Sequence, residues 1–446
     1  MKASHGPSCG ASWFDRLTMK RSPSFRLEPD GVAAMGSVRF ENARLFDGRT
    51  PHLLEGHHVL VEDGTIREVS DRPMAGNADT VVDVGGRVLM PGLIDLHVHI
   101  CAAEVNPARR VLLPSEYIAL FAAGTLQRSL DRGFTSLRDA GGTEPGYALA
   151  IEKDFVKAPR FFQTGRYISQ TGGHGDFRTA FEQDFANCPC CPTPLSRFTT
   201  IADGADAVRK AVREEFRLGA RQIKLMCSGG VSSPTDPVDK LQFTDAEIRA
   251  AVEEADMRGR YVFAHCHPDI AIRRAAELGV RCIEHASFIS PETAQFLAEK
   301  GTYVVPTLAV VKALNDDGVK HGMPEFSRRK LDGMFEAMLR GLDTMKRAGV
   351  KMGFGTDLLA RHQERQCTEF AIRAEVLPAY DILTAATSVA AEILMEDGKL
   401  GVVAPGAHAD LLVVDGDPLK DVRVLGRDGA TLPVIMKAGQ FHKRLI

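Results

Sequence analysis

The sequence has little net charge, a single tryptophan and no long apolar run. Its 446 residues carry 55 Lys and Arg against 58 Asp and Glu, so the formal net charge is −3. This balance gives no reason to expect nucleic acid or an acidic membrane surface as a partner. No uninterrupted apolar run approaches the roughly 20 residues that span a bilayer. The composition is that of a globular chain long enough to bury a large core.

The cysteines give no sign of a disulfide framework. There are nine of them, an odd number, and several stand in apolar segments, which favours reduced, buried thiols in a cytoplasmic protein. A proline-rich stretch holds three that are close together: Cys188, Cys190 and Cys191. Because no second cysteine pair follows at zinc spacing, this stretch is better interpreted as a loop with free thiols than as a structural metal site.

Residues 1–35 lack any apolar core segment and mix Ser, Gly, Pro and basic residues. They also lack the 7–15-residue apolar stretch of a secretory signal. We expect a flexible N-terminal extension, with Met35 as a candidate natural start and a cytoplasmic location for the protein.

Short strand patterns occupy both ends of the remaining chain. Residues 38–46 alternate apolar and polar positions, and hairpins are predicted at 58–69 and at 81–90 around turn residues. Two further strands are predicted at 411–414 and 434–436. Because chain termini are often close together, we expect residues 36–92 and 401–446 to form one small β-sandwich domain.

The middle region, residues 93–400, alternates predicted strands with predicted helices. Strands are expected at 93–98, 134–139, 160–167, 222–227, 261–265, 282–286, 303–307 and 351–356. Helices are expected at 116–130, 205–218, 245–258, 269–278, 291–300, 328–348, 369–376 and 381–394. Eight strand–helix units over about 300 residues predict an α/β protein with a (β/α)8 TIM barrel. An open doubly wound sheet is the alternative, although no G-x-G-x-x-G motif opens a helix after the first strand.

Histidine is abundant in this chain, whereas tryptophan and tyrosine are scarce: there are 14 His against 1 Trp and 6 Tyr. His97 and His99 end the first barrel strand with one residue between them, so both can face the same side and share one metal ion. Other chemistry-bearing residues stand at the ends of later strands: Lys224, His265, His285 and Asp357. Barrel enzymes place their chemistry at the carboxyl ends of the strands, so these six residues predict one metal site.

The motif Pro91-Gly-Leu-Ile-Asp-Leu-His-Val-His99, taken with those later strand ends, resembles the metal-dependent amidohydrolase superfamily over about residues 36–446. The resemblance implies that Lys224 is N6-carboxylated and bridges two divalent metal ions. One ion would be bound by His97, His99 and Asp357, the other by His265 and His285. Imidazole-rich ligation favours Zn²⁺, with Co²⁺ or Mn²⁺ as alternatives. Asp357 would also accept a proton from the attacking water and pass it to the leaving amine.

Residues 167–176, 227–234 and 386–391 resemble one branch of that superfamily, the imidazolonepropionase-like enzymes with the Xaa-Pro dipeptidases. Within it, the chain most resembles the ochratoxin-hydrolysing amidohydrolases. The resemblance implies a carboxypeptidase-like amidohydrolase for N-acyl amino acids, such as ochratoxin A, which would give ochratoxin α and L-phenylalanine. It also implies a homo-oligomer with a small-molecule amide substrate, without nucleic acid or membrane as a partner.

Two further histidines are candidates for substrate contacts. The resemblance assigns His267 to polarising the scissile carbonyl, against the alternative of a loop histidine that caps the next helix. His174, in a glycine-rich loop, could bind a substrate carboxylate or orient another group, or could belong to a tight structural turn. Weaker candidates are Arg138, Tyr303 and His362, the last as a rim residue in a mobile loop.

Three other functions stay open at this point. An Xaa-Pro dipeptidase would share the same site, and a hydrolase of cyclic amides or urea-type xenobiotics would need no carboxylate-binding group. A regulatory or scaffold protein that kept the barrel without turnover is disfavoured, because all six expected metal positions are filled.

Overall fold

The computed structural model describes residues 36–178 and 194–446. The part of the chain from Gly36 to Ile446 forms one compact unit. The predicted N-terminal extension, residues 1–35, and the cysteines at 188, 190 and 191 lie outside the described residues.

Both ends of this unit contribute to a single eight-stranded sheet. Its strands are β1 (Val38–Leu45), β2 (Leu54–Glu62), β3 (Thr65–Ser70), β4 (Thr80–Asp83), β5 (Val88–Pro91), β15 (Leu411–Val414), β16 (Val434–Lys437) and β17 (Gln440–Arg444). The order is β17-β16-β15-β5-β1-β2-β3, with β4 also beside β1. The antiparallel pairing of β5 with β15 joins the two end segments of this unit.

The hairpin predicted at 81–90 is wrong, because β4 and β5 do not pair with each other. Both run parallel to β1, β4 along Val38–Glu41 and β5 beside Arg44 and Leu45. Two glycines with positive φ, Gly85 at 61° and Gly86 at 74°, connect them. The glycine turn therefore advances the chain along β1 and does not reverse it.

The strands that the structure describes in the middle region are all parallel and form two sheets. They are β6 (Leu93–Val98), β7 (Phe134–Asp139), β8 (Arg160–Phe162), β9 (Tyr167–Ser169), β10 (Thr199–Ile201), β11 (Ile223–Met226), β12 (Val262–Pro268), β13 (Cys282–Phe288) and β14 (Tyr303–Val305). One sheet has the order β6-β7-β8, the other β10-β9-β11-β12-β13-β14. The strand expected at 160–167 is thus broken into β8 and β9.

Residues 351–357, where the eighth strand was predicted, form no named strand but bond to both parallel sheets. On one side, the Gly353 N–H donates to the Val304 carbonyl at 2.8 Å. On the other, the N–H of Leu96 donates to the Phe354 carbonyl at 2.8 Å. This segment therefore links β14 of one sheet to β6 of the other.

Helices follow most of the parallel strands, which confirms the α/β class. They are α1 (Pro107–Arg110), α2 (Ser115–Asp131), α3 (Pro145–Glu152), α4 (Ala205–Arg217), α5 (Asp245–Asp256), α6 (Asp269–Glu277), α7 (Pro291–Lys300), α8 (Leu308–Asp317), α9 (Glu325–Lys330), α10 (Met334–Ala348), α11 (Thr368–Arg373), α12 (Ala379–Ala385) and α13 (Ser388–Ile393). The helix predicted at 328–348 is interrupted before α10, where Gly333 adopts φ 66°. Similarly, the helix predicted at 381–394 is divided between α12 and α13 at Thr387. The sequence prediction missed α1, α3 and α8.

The cysteines follow the predicted pattern where the structure describes them. Five are free and buried: Cys101, Cys227, Cys266, Cys282 and Cys367. None of the helices in the described ranges is both long enough and apolar enough to cross a membrane.

Candidate active site

All eight residues proposed as metal ligands or catalytic groups line one cavity of about 910 Å³, measured up to its open mouth. The parallel strands position most of them: β6 carries His97, β11 carries Lys224, β12 carries His265 and His267, and β13 carries His285. Of the remaining three, His99 follows β6, His174 lies in the loop after β9, and Asp357 ends the linking segment. The structure therefore brings these eight residues together at the carboxyl ends of the strands, where the sequence placed them.

His97, His99 and Asp357 form a compact group. Asp357 Oδ1 lies 3.5 Å from His97 Nε2 and 3.3 Å from His99 Nε2. Asp357 adopts φ 56°, an uncommon conformation for a residue other than glycine, and its N–H donates to the His97 carbonyl at 2.8 Å. The potential ligand atoms of the three side chains all lie within 4.8 Å of one another, close enough to share one ion.

The close approach of this segment to β6 depends on Gly355. A Cβ atom at this position would lie 2.4 Å from Val305 Cγ1 and 2.9 Å from His97 Cβ. A larger residue would push Asp357 away from the two histidines.

Hydrogen bonds fix which nitrogen of each imidazole faces the cavity. His97 Nδ1 lies 2.5 Å from Glu284 Oε2, and His99 Nδ1 lies 2.8 Å from the Gly141 carbonyl. Since a carboxylate and a carbonyl can only accept, Nδ1 carries the hydrogen in both rings and Nε2 carries the lone pair. His285 Nδ1 is held by Thr307 Oγ1 at 2.7 Å.

His265 has the opposite arrangement. Its Nε2 lies 3.2 Å from the Gly229 carbonyl, so Nε2 donates and Nδ1 keeps the lone pair. The ring also packs among the other candidates, with its centre 4.6 Å from that of His285 and 4.5 Å from that of His267. Each of the four proposed histidine ligands therefore has a ring nitrogen free for a metal ion.

Burial favours the neutral form of these rings. It lowers the pKa of His99 to about 3 and the pKa of His97, His265 and His285 well below the ordinary histidine value. Burial also lowers the pKa of Lys224, and it raises the pKa of Asp357 to about 7. Neutral imidazoles are the form that binds metal ions, and a neutral amine is the form of lysine that can be carboxylated. The donor set thus fits a pair of divalent ions.

Behind His97 lies a buried ion pair that the sequence analysis did not identify as such. Arg138 Nη2 donates to Glu284 Oε1 at 2.7 Å, and both side chains are 0% exposed. Arg138 Nε also donates to the Leu96 carbonyl at 2.6 Å. Arg138 therefore does not line the cavity but holds Glu284, which in turn orients His97. A glutamate within the apolar run of β13 was the available signal for this role.

The two substrate candidates both lie beside His265. The His174 ring stacks on the His265 ring with 4.2 Å between centres, and its Nδ1 lies 2.6 Å from Ser233 Oγ. A Cβ atom on Gly230 would lie 2.3 Å from the His174 ring, so only glycine leaves room for this stacking. His267 Nδ1 lies 2.8 Å from Ser287 Oγ, and burial lowers the pKa of His267 to about 3.

Tyr303 and His362 lie away from the cavity. Tyr303 begins β14, at the amino end of the parallel strands, and packs against Arg281. His362 is buried in a 3-10 helix, Ala360–Arg365, where its Nε2 lies 2.7 Å from Asp317 Oδ1. The expected rim position of His362 in a mobile loop is wrong, because the side chain is buried and this hydrogen bond holds it inside the protein.

The rest of the cavity wall is largely apolar. Helices α8 and α10 contribute Val310, Val311, Leu314, Met334 and Met338. Two polar residues in the wall, Arg110 and Tyr167, were not predicted as site residues, because nothing in their local pattern marks them as facing a cavity.

Comparisons with known proteins agree with this geometry. Residues 88–440 match the amidohydrolase family. Ochratoxinase from Aspergillus niger is 31% identical over 367 residues, which cover 80% of this chain and 76% of that protein. Among solved structures, an amidohydrolase is 48% identical with a TM-score of 0.89, covering 92% of this chain and 99% of that chain. A prolidase complexed with N-methylphosphonate-L-proline is 42% identical with a TM-score of 0.88, covering 92% and 100%.

Proposed function

The chain belongs to the amidohydrolase family, and we propose that it uses two divalent metal ions to hydrolyse the amide bond of N-acyl amino acids. The observation that carries this proposal is the convergence of four histidines, one lysine and one aspartate on a single cavity. The histidines are held by hydrogen bonds that leave one ring nitrogen of each free.

For the architecture, we propose that the parallel strands close into a (β/α)8 barrel over residues 93–400. The hydrogen bonds from residues 351–357 to β14 and to β6 support this closure. We propose that residues 36–92 and 401–446 form a separate β-sandwich domain, supported by the sheet that both segments share. A homo-oligomer and a cytoplasmic location stay predictions.

His97, His99 and Asp357 would hold one ion and His265 and His285 the other, and N6-carboxylated Lys224 would be the bridging ligand that both ions share. Zn²⁺ suits a donor set dominated by imidazole. When bound, such ions lower the pKa of water and polarise a carbonyl oxygen. Buried Lys224 has no carboxylate ion-pair partner in the described part of the chain, which supports its conversion to an anionic carbamate.

The chain's own side chains supply the proton transfers. Asp357 would accept a proton from the attacking water at a carboxylate oxygen and return it to the leaving nitrogen. His267 would donate a hydrogen bond from Nε2 to the scissile carbonyl oxygen. A neutral His267 can do so if its Nδ1 accepts from the Ser287 hydroxyl, which lies 2.8 Å away and is able to donate. His174 would support this site through its stacking on His265.

Two substrate types follow from the relatives. Similarity to ochratoxinase supports an aromatic acyl group on L-phenylalanine, as in the conversion of ochratoxin A to ochratoxin α. Similarity to a prolidase supports an Xaa-Pro dipeptide as the second candidate. Both are N-acyl amino acids, so one mechanism serves either substrate.

A substrate panel tests the proposal. The zinc-loaded protein would be incubated with ochratoxin A, N-acyl-L-phenylalanines, Xaa-Pro dipeptides, cyclic amides and phenylureas, with released amino acid as the readout. We expect phenylalanine or proline to be released by the wild type and not by Asp357→Asn. Turnover of cyclic amides or ureas alone would replace the proposal with the other hydrolase class, and no release from any amide would overturn it.

A further inference from the structure

Two polar side chains in the cavity wall are buried without a hydrogen-bond partner. They are Arg110, through Nε, and Tyr167, through its phenol oxygen. Among the described residues that line this cavity, no other buried side-chain nitrogen or oxygen lacks a partner. A buried polar group without a hydrogen bond is costly, and a ligand in the cavity would remove that cost.

Arg110 is a buried positive charge with no counter-ion among the described residues. It ends α1 and is only 8% exposed. Its guanidinium carbon lies 5.4 Å from the ring centre of Phe177 and 5.3 Å from that of Phe198. These cation–π contacts hold the guanidinium in place, yet they satisfy none of its N–H donors.

Tyr167 lies between the proposed metal ligand His99 and Phe177, one of the two aromatic neighbours of Arg110. Its ring packs edge-on against His99 at 6.4 Å and against Phe177 at 6.3 Å. Burial raises the pKa of Tyr167 to about 12, so the phenol keeps its proton at neutral pH. Tyr167 therefore offers one O–H donor between the proposed metal ligands and the aromatic neighbours of Arg110.

We propose that Arg110 and Tyr167 bind the free carboxylate of the amino-acid half of the substrate. A guanidinium donates to carboxylate oxygens in charge-assisted hydrogen bonds, which are stronger than neutral ones, and the phenol adds a further donor. This inference rests on the proposed function and specifies its substrate: the amide must carry a free carboxylate next to the scissile bond. The apolar wall from α8 and α10 is then left for the acyl group.

His174 is a poorer carboxylate ligand in this structure. Its Nδ1 is already bonded to Ser233, and Asp236 Oδ2 lies 3.6 Å away. The negative charge of Asp236 would repel a substrate carboxylate. Of the two roles considered for His174, orienting a neighbouring group is therefore favoured.

Binding of matched analogues tests the proposal without turnover. The probes are the N-methylphosphonyl derivatives of L-phenylalanine and L-proline, each as the free acid and as the carboxamide. Isothermal titration calorimetry on the zinc-loaded protein would measure the affinity. We expect the wild type to bind the better acid about 100-fold more tightly than its amide, the effect of a charge-assisted hydrogen bond in a buried site.

Variants assign this preference to the two residues. Arg110→Met should weaken acid binding about 100-fold and leave amide binding unchanged, and Tyr167→Phe should weaken acid binding by about fivefold to tenfold. Arg110→Lys should retain part of the preference, since it keeps the charge without the planar fork. Arg109→Met, the exposed neighbour on α1, is the matched control and should bind as the wild type does. Zinc content and melting temperature would verify that each variant is intact.

Equal affinity of the wild type for acid and amide, or no binding of either, would overturn the carboxylate subsite. So would an unchanged preference in Arg110→Met. If Arg110→Met does not fold, the acid–amide comparison in the wild type and in Arg110→Lys decides. Arg110-dependent binding without amino-acid release in the substrate panel would instead overturn the proposed hydrolysis and keep the subsite.

Discussion

Two groups of histidine and aspartate side chains in this protein have the same composition and different surroundings. The first, His97, His99 and Asp357, lies at the strand ends. The second, which we term the helix cluster, comprises Asp317, His321 and His362. In both groups the potential ligand atoms lie within 4.8 Å of one another, so composition and proximity do not distinguish them.

The difference lies in which atoms are already bonded. At the strand ends, Nδ1 of His97 and of His99 is held by groups outside the cluster, Glu284 and the Gly141 carbonyl. In the helix cluster the members bond to each other, with His362 Nε2 2.7 Å from Asp317 Oδ1. Arg365 Nη2 also lies 2.5 Å from Asp317 Oδ2, and its positive charge opposes a bound cation. In a metal site, hydrogen bonds to other groups orient the ligand side chains and leave their ligand atoms free. We therefore expect the helix cluster to be an ion-pair network and not a metal site.

The largest effect is expected from Lys224→Ala, which would remove the proposed bridge between the two ions. We expect fewer than two zinc ions per chain by elemental analysis. We also expect a roughly 1000-fold loss of amide hydrolysis, because the proposed ions would activate the water. Lys210→Ala, on the exposed side of α4, should leave both values unchanged. Full occupancy by two ions in Lys224→Ala would contradict the bridging role.

His267→Ala separates catalysis from metal binding in the cavity that the proposed metal ligands line. Losing one donor to the scissile carbonyl should reduce kcat by about 10²–10³-fold, with zinc content preserved. The exposed His52→Ala variant provides the control for removing a histidine. Normal kinetics for His267→Ala would make His267 a structural residue.

Glu284→Gln examines the support behind His97. Loss of such a partner typically weakens metal affinity by about 10–100-fold, which competition with a chelator would measure. A buried pair outside the cavity, Glu369 with Arg373 at 2.7 Å and 0% exposure, offers a matched control. Both Glu→Gln variants should lower the melting temperature, because each leaves a buried arginine without its counter-ion. Only Glu284→Gln should weaken zinc binding, and equal zinc affinity in the two variants would refute the positioning role.

The smallest effect is expected from His362→Ala in the helix cluster. Removing its bond to Asp317 should cost about 1 kcal/mol of unfolding free energy, measurable by denaturant titration. Zinc content and turnover should stay as in the wild type. Loss of a zinc ion from this variant would indicate that the helix cluster is a metal site. It would contradict the difference proposed between this cluster and the group at the strand ends.

Local patterns predicted much of this protein. The alternation of strands and helices gave the α/β class, and the His-x-His spacing at 97 and 99 placed both residues on one side of β6. The prediction failed where partners are distant in sequence. The 81–90 segment resembles a hairpin locally, yet β4 and β5 both pair with β1. Arg138 was predicted as a weak site candidate, but its contact with Glu284 makes it a support for His97.

The sequence by itself determined the residue types at the strand ends and the class of chemistry that they allow. Only the tertiary structure decided which atoms of those residues are free to act. His97 and Glu284 are 187 positions apart, and no local pattern records that their contact turns Nε2 of His97 toward Asp357. The same holds for Arg110, whose unpaired guanidinium gains its significance from the cavity around it. Hydrogen-bond partners and burial are set by packing between distant segments, and they distinguish the proposed metal centre from an ion-pair network with the same residues.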